Sequence, residues 1–133
     1  MRKLLFLMLI PTLMANDCTK EGKNCHRKFS VINKATDSVI CATKAYWSSS
    51  GLCNISGKVL KYNDSYEFTS HDCWENVLSN GKTQDIYIVD PSKYNNPDVY
   101  YNCDSIEIKN KVLKHFVLTL DDLQKNDFTV TYP

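Results

Sequence analysis

The chain is 133 residues long, with 16 Lys and Arg against 15 Asp and Glu, a net charge of +1, and 43% hydrophobic residues. That length suits one domain with a modest core. Basic and acidic residues alternate throughout, so there is no basic stripe for a phosphate backbone and nucleic acid is excluded as a partner.

The first fifteen residues, MRKLLFLMLIPTLMA, place Arg2 and Lys3 before the apolar run Leu4 to Ile10 and end on the small Ala15. This is the three-part pattern of a cleaved signal peptide at residues 1–15. The run is far shorter than the about 20 residues of a membrane helix, and no later run approaches that length, so the mature chain has no transmembrane segment. Loss of Arg2 and Lys3 moves the net charge from +1 to −1. A lipid anchor on Cys18 is disfavoured, because Asp17 stands where lipoprotein processing needs a small residue. Residues 16–27, NDCTKEGKNCHR, form a polar leader without apolar periodicity.

From Lys28 the pattern changes to short alternating or β-branched runs: KFSVIN at 28–33, SVICATKAYW at 38–47, KVLKY at 58–62, SYEFTS at 65–70, DIYIVD at 85–90, SIEIK at 105–109 and KHFVLTL at 114–120. These predict strands. Turn-forming clusters such as NKATD, YNDS and SNGK separate them. A parallel sheet would need crossover helices, and no segment keeps a 3.6-residue apolar period, so an antiparallel β-sandwich over residues 28–133 is expected.

One helix is expected near residues 120–126. Thr119 stands at the N-cap position with Asp122 three residues on, a box-like cap, and Asp121 favours the helix dipole. Leu120 and Leu123 share its inward face. FTVTY then alternates, with Phe128, Val130 and Tyr132 on one side and Thr129 and Thr131 on the other. The helix is thus a crossover between the last two strands.

Six cysteines, Cys18, Cys25, Cys41, Cys53, Cys73 and Cys103, in a small exported chain predict up to three disulfides with no assignable connectivity. Cys73 is then a disulfide partner rather than a nucleophile with His71 as base. His71 and Asp72, adjacent in sequence, would point to opposite faces of a strand. His26 and His115 complete the histidines, and no third ligand stands at zinc spacing, so neither metal nor cofactor is expected. The acidic pair Asp121 and Asp122 is explained by helix capping. The sequons at Asn54 and Asn63 matter only in a eukaryotic secretory route.

The C-terminal segment VLKHFVLTLDDLQKNDFTVTYP, Val112 to Pro133, resembles the ending of a family of small secreted proteins and lipoproteins of Bacteroidetes-type bacteria, whose chains close on DL-x-x-x-x-W-x-[IV]-x-YP. IYIVD and the CWE at 73–75 resemble it more weakly. Phe128 stands where the family has Trp, and the lipobox of many relatives is missing. The resemblance implies an immunoglobulin-like sandwich, with one short helix before the last strand, in a secreted, periplasmic or outer-envelope setting. It implies no activity. In such bacteria Asp37-Ser38-Val39 and Asp104-Ser105-Ile106 match a three-residue O-glycosylation motif, making Ser38 and Ser105 candidates.

The remaining feature is aromatic. Trp47 and Trp74 are expected to fill the core. Pro91 and Pro97 keep the stretch between them on a loop, where Tyr94, Asn95, Asn96, Tyr100 and Tyr101 offer flat rings and amides to a glycan or a protein. The expected function is therefore a non-catalytic binding module in the envelope, with a glycan or protein partner. A structural or assembly role is the alternative, and a small secreted hydrolase a lesser one.

Overall fold

In the computed structural model the residues described are 21–44, 52–93, 101–102 and 112–133. Eight strands and two short helices follow in order: β1 (Lys28–Asn33), β2 (Val39–Lys44), β3 (Leu52–Leu60), β4 (Ser65–Thr69), α1 (Trp74–Val77), β5 (Gln84–Val89), β6 (Tyr101–Asn102), β7 (Val112–Leu118), α2 (Leu120–Lys125) and β8 (Thr129–Tyr132). They build two sheets, β4-β1-β8 and β6-β3-β2-β5-β7. The protein is an all-β sandwich.

Most expected strands fall where the alternation places them. The expected strand 105–109 and residues 45–47 lie outside the described residues. Two corrections have physical causes. KVLKY is the end of a longer strand that stops at Leu60, because Asn63, at φ +66°, turns the chain there. The sandwich is also not wholly antiparallel: β1 and β8 pair in parallel, with Ser30 opposite Thr129 and Asn33 opposite Tyr132. Helix α1 was not expected, since four residues are too few to show a helical period.

The alternation in β1 sends Phe29 and Val31 inward, facing Cys41 of β2, Leu60 of β3 and Ile86 and Ile88 of β5 across the core. Phe29 stacks on Phe68 at 5.1 Å and meets Trp74 edge-on at 4.9 Å. Trp74 is buried, as expected, and its indole N–H donates to the Arg27 carbonyl at 3.1 Å. Strands β2 and β5 are buried on both faces: Ile40, Ala42, Tyr87 and Val89 alternate with the core residues yet are buried too. Such two-sided burial is why these strands read as continuous apolar runs.

Asn33 is fully buried at the end of β1. Its amide nitrogen donates to the carbonyls of Asp37 at 2.8 Å and Leu60 at 3.0 Å, and its side-chain oxygen accepts from the Ala35 amide at 3.0 Å. It thereby fixes the turn into β2 and ties β1 to β3 across the sheets. Burial is tolerated because three bonds replace the lost water.

The segment between β7 and β8 carries the chain from the five-stranded sheet to the three-stranded one. Thr119 Oγ1 accepts from the Asp122 amide at 3.2 Å, and Asp122 Oδ2 accepts from the Thr119 amide at 2.9 Å, a complete capping box. The hydroxyl of Thr119 also donates to Asp122 Oδ2 at 2.6 Å. These bonds hold the Asp122 carboxyl below its ordinary value. At the other end the Phe128 amide donates to the Leu123 carbonyl at 2.7 Å and the Asp127 amide to the Gln124 carbonyl at 3.3 Å. That is a Schellman closure, with buried Leu123 and Phe128 as its apolar pair. It requires positive φ at Asp127, +48°, a position glycine would fill without strain, and Phe128 follows at +52°.

Thr119→Ala should cost about 1 kcal/mol of unfolding free energy in urea titration. Asp127→Gly should move the midpoint the other way, by about 1 kcal/mol at most, because it relieves the left-handed backbone. Equal losses in both variants would show that the closure, as described, does not govern this turn.

Candidate functional site

Among the described strands β7 is an edge of the larger sheet and β8 an edge of the smaller one, and α2 connects them. A groove of about 390 Å³ runs there. Phe116, Val117 and Leu118 line it from β7, Asp122 and Asn126 from α2, and Thr129, Val130 and Thr131 from β8. Alternation explains the mixture. Leu118 and Val130 belong to the core, whereas Val117, Thr129 and Thr131 belong to the outer faces. Val117 is a large apolar side chain left 53% exposed. The groove thus joins an apolar floor to hydroxyl, amide and carboxylate groups.

A second cluster lies on the outer face of the five-stranded sheet. His115 of β7 sits opposite Tyr87 of β5, and the rings stack at 4.3 Å with 7° between their planes. His115 Nε2 is 2.7 Å from Asp85 Oδ1. The carboxylate orients the imidazole, as a base in a catalytic dyad would be oriented. Among the described residues, however, Asp85 is the only hydrogen-bond partner of this ring. The sequence marks His115 as a partly exposed strand residue, which it is. The partners were not legible, because they come from a strand about thirty residues away whose register sets the contact.

A third cluster ties the leader to the domain. Cys25 and Cys73 form a disulfide. Beside it Glu75 of α1 accepts from the His26 amide at 3.0 Å and contacts His26 Nδ1 at 2.6 Å. Burial alone would raise the Glu75 carboxyl, but the hydrogen bonds from the His26 ring and backbone outweigh it and hold the pKa below its ordinary 4.5. The other face of the His26 ring stacks on Phe128 at 3.9 Å. Among the described residues Arg27 Nε is buried here without a hydrogen-bond partner. Together these contacts clamp the leader to the start of α1.

The disulfide removes Cys73 as a nucleophile, and His71 is exposed beside it. Asp72 Oδ1 accepts from the Cys73 amide at 2.8 Å and from Asn76 at 3.0 Å, so it anchors the start of α1. Asp121 is exposed in the first turn of α2 and Asp122 caps that helix, as expected. Cys41 is a correction. It is a free thiol, fully buried, whose register partner on β5 is Ile88, so the core surrounds it with apolar groups instead of a second cysteine. Burial pushes its pKa up to about 12.

Ser38 is half-buried just before β2. Tyr94, Asn95, Asn96, Tyr100, Ser105, Trp47, Cys18 and Cys103 lie outside the described residues, and the side chains of Tyr101, on β6, and Cys53, on β3, do too. The structure therefore does not bring the expected tyrosine and asparagine site together or separate it. The groove was missed by the sequence reading because it depends on two strands from different sheets. Among the described residues no group of three potential metal ligands occurs, and no helix is long and apolar enough to cross a membrane. No family model, no curated protein and no solved structure matches the chain.

Two measurements test these assignments. Iodoacetamide at pH 8 should leave Cys41 unmodified in the folded protein and alkylate it after unfolding, while unreduced peptide maps contain a Cys25–Cys73 linked pair. Because the Glu75 pKa is lowered on folding, its stabilisation is complete above 4.5 and is lost as pH falls through the lower folded value. Glu75→Gln should accordingly melt below wild type at neutral pH, with the gap closing as the pH is taken well below 4.5.

Proposed function

We propose that this chain is an exported, non-catalytic binding module that acts outside the cytoplasm and takes a protein partner in the groove between β7, α2 and β8. The observation that carries the proposal is the groove itself. It exposes Val117 and apolar edges beside hydroxyl and carboxylate groups, a mixture that suits a peptide chain. The Cys25–Cys73 bridge favours an oxidising compartment, in keeping with the N-terminal signal pattern.

The tail resemblance supports an envelope setting in Bacteroidetes-type bacteria and an immunoglobulin-like class for the sandwich. A non-catalytic role is supported by the structural duties of three chemically capable groups: Cys73 is in a disulfide, Asp122 caps a helix and Glu75 holds the leader. A glycan at Tyr94, Asn95, Asn96, Tyr100 and Tyr101 is the second reading, favoured by three tyrosines and two amides on one proline-bounded stretch.

A pull-down from the native envelope and a glycan array separate the two. A protein captured by the wild type and lost with Val117→Lys supports the groove. Capture unchanged by Val117→Lys removes it. Glycan binding lost in Tyr100→Ala/Tyr101→Ala, with the melting temperature within a few degrees of wild type, would move the site to the tyrosine stretch.

A further inference from the structure

The backbone at the groove is as informative as its side chains. The Ser30 amide donates to the Phe128 carbonyl at 2.9 Å and the Lys34 amide to the Tyr132 carbonyl at 2.7 Å. In a parallel ladder the peptide groups of one strand alternate between its two sides. Phe128, Val130 and Tyr132 therefore turn their peptide groups toward β1, while Thr129 and Thr131 turn theirs away, into the groove. The Thr129 amide is occupied by the Asn126 carbonyl at 2.9 Å. The Thr129 carbonyl and both the N–H and C=O of Thr131 remain on the open edge of β8, which pairs with β1 alone among the described strands.

Charge selects among the chains that could use this edge. Around the groove the carboxylates of Asp121, Asp122 and Asp127 outnumber the ammoniums of Lys125 and of Lys114, whose Nζ lies 5.7 Å from the centroid of the Phe116 ring. Asp122 lines the groove, and its lowered pKa keeps it ionised. Both of its capping bonds use Oδ2. Oδ1 takes no hydrogen bond from the described residues and is left for a ligand cation.

We propose that the partner binds by strand addition: an extended, cationic polypeptide segment pairs with the edge of β8 that is free among the described strands, sets an apolar side chain against Phe116, and places a Lys or Arg at Asp122. This rests on the groove being the protein-binding surface. Main-chain bonds to Thr129 and Thr131 supply affinity, and the alternating side chains supply selectivity, as in other strand-addition complexes. The segment alternates apolar and basic residues because one of its faces meets the groove floor and the other the carboxylates.

The test is fluorescence anisotropy at low salt on the full mature chain, with a fluorescein-labelled peptide KVTVKVTV and its counterpart EVTVEVTV. Wild type should bind the basic probe at least roughly tenfold more tightly than the acidic one. Thr131→Pro removes only the outward N–H, a change an edge strand tolerates, and should weaken the basic probe by a similar factor, whereas Thr131→Ala should not. If Thr131→Pro also lowers the melting temperature by more than a few degrees, the question goes to wild type with probes N-methylated on alternate residues. One methylation phase should then abolish binding.

Unchanged binding by a stable Thr131→Pro, or by both methylated probes, overturns strand addition while leaving the groove as a contact surface. Loss of the groove reading would show separately, as capture insensitive to Val117→Lys. Equal binding of both probes, or of neither, overturns the cationic segment. A dimer of this chain that Thr131→Pro dissociates would make a second copy the occupant and overturn the foreign partner.

Discussion

The parallel pairing of β8 with β1 is the constraint on which the rest of the sandwich depends. Antiparallel neighbours can be joined by a tight turn, but a strand arriving parallel to the first must enter its sheet from elsewhere. Here the chain leaves the opposite sheet at Leu118 and has ten residues in which to cross. The capping box at Thr119 and the Schellman closure at Asp127 fix both ends of α2, so the crossing has one geometry. Leu123 and Phe128 carry that geometry into the core. With β8 in place, Val130 completes the apolar layer of the smaller sheet.

The same crossing connects the groove's two strands. Among the described strands β7 and β8 are the edges of different sheets, joined in sequence by α2. Unpaired edges are a liability that proteins usually cover or charge. This one carries threonines on β8 and carboxylates on α2, which discourage indiscriminate pairing while leaving the backbone groups of Thr131 accessible.

Against the end of this crossing the leader is held by a covalent bond, polar contacts and a ring stacked on Phe128. Cys25 is joined to α1, His26 is hydrogen-bonded to Glu75, and the His26 ring lies on Phe128. Phe128 has positive φ, a conformation that a bulky residue keeps only when its surroundings hold it. The stacking against His26, burial of the ring and the ladder bond from Ser30 together supply that hold. The leader thus acts on the last strand as well as on the first.

Alternation and capping chemistry made much of the fold legible in the sequence. KFSVIN reads as a strand because Phe29 and Val31 must share a face, and Thr119 with Asp122 starts a helix through bonds made within four residues. The sequence by itself determined these local elements, the all-β character and the cysteine-based expectation of a disulfide. Tertiary structure decided which cysteines meet, leaving Cys41 in an apolar layer while Cys25 reaches Cys73 across 48 residues. It also decided that β8 runs parallel to β1, that His115 meets Asp85, and that two sheet edges form a groove. Each of these depends on register and on the packing of sheets brought together from distant parts of the chain, and a period of two residues carries no information about which strand becomes whose neighbour.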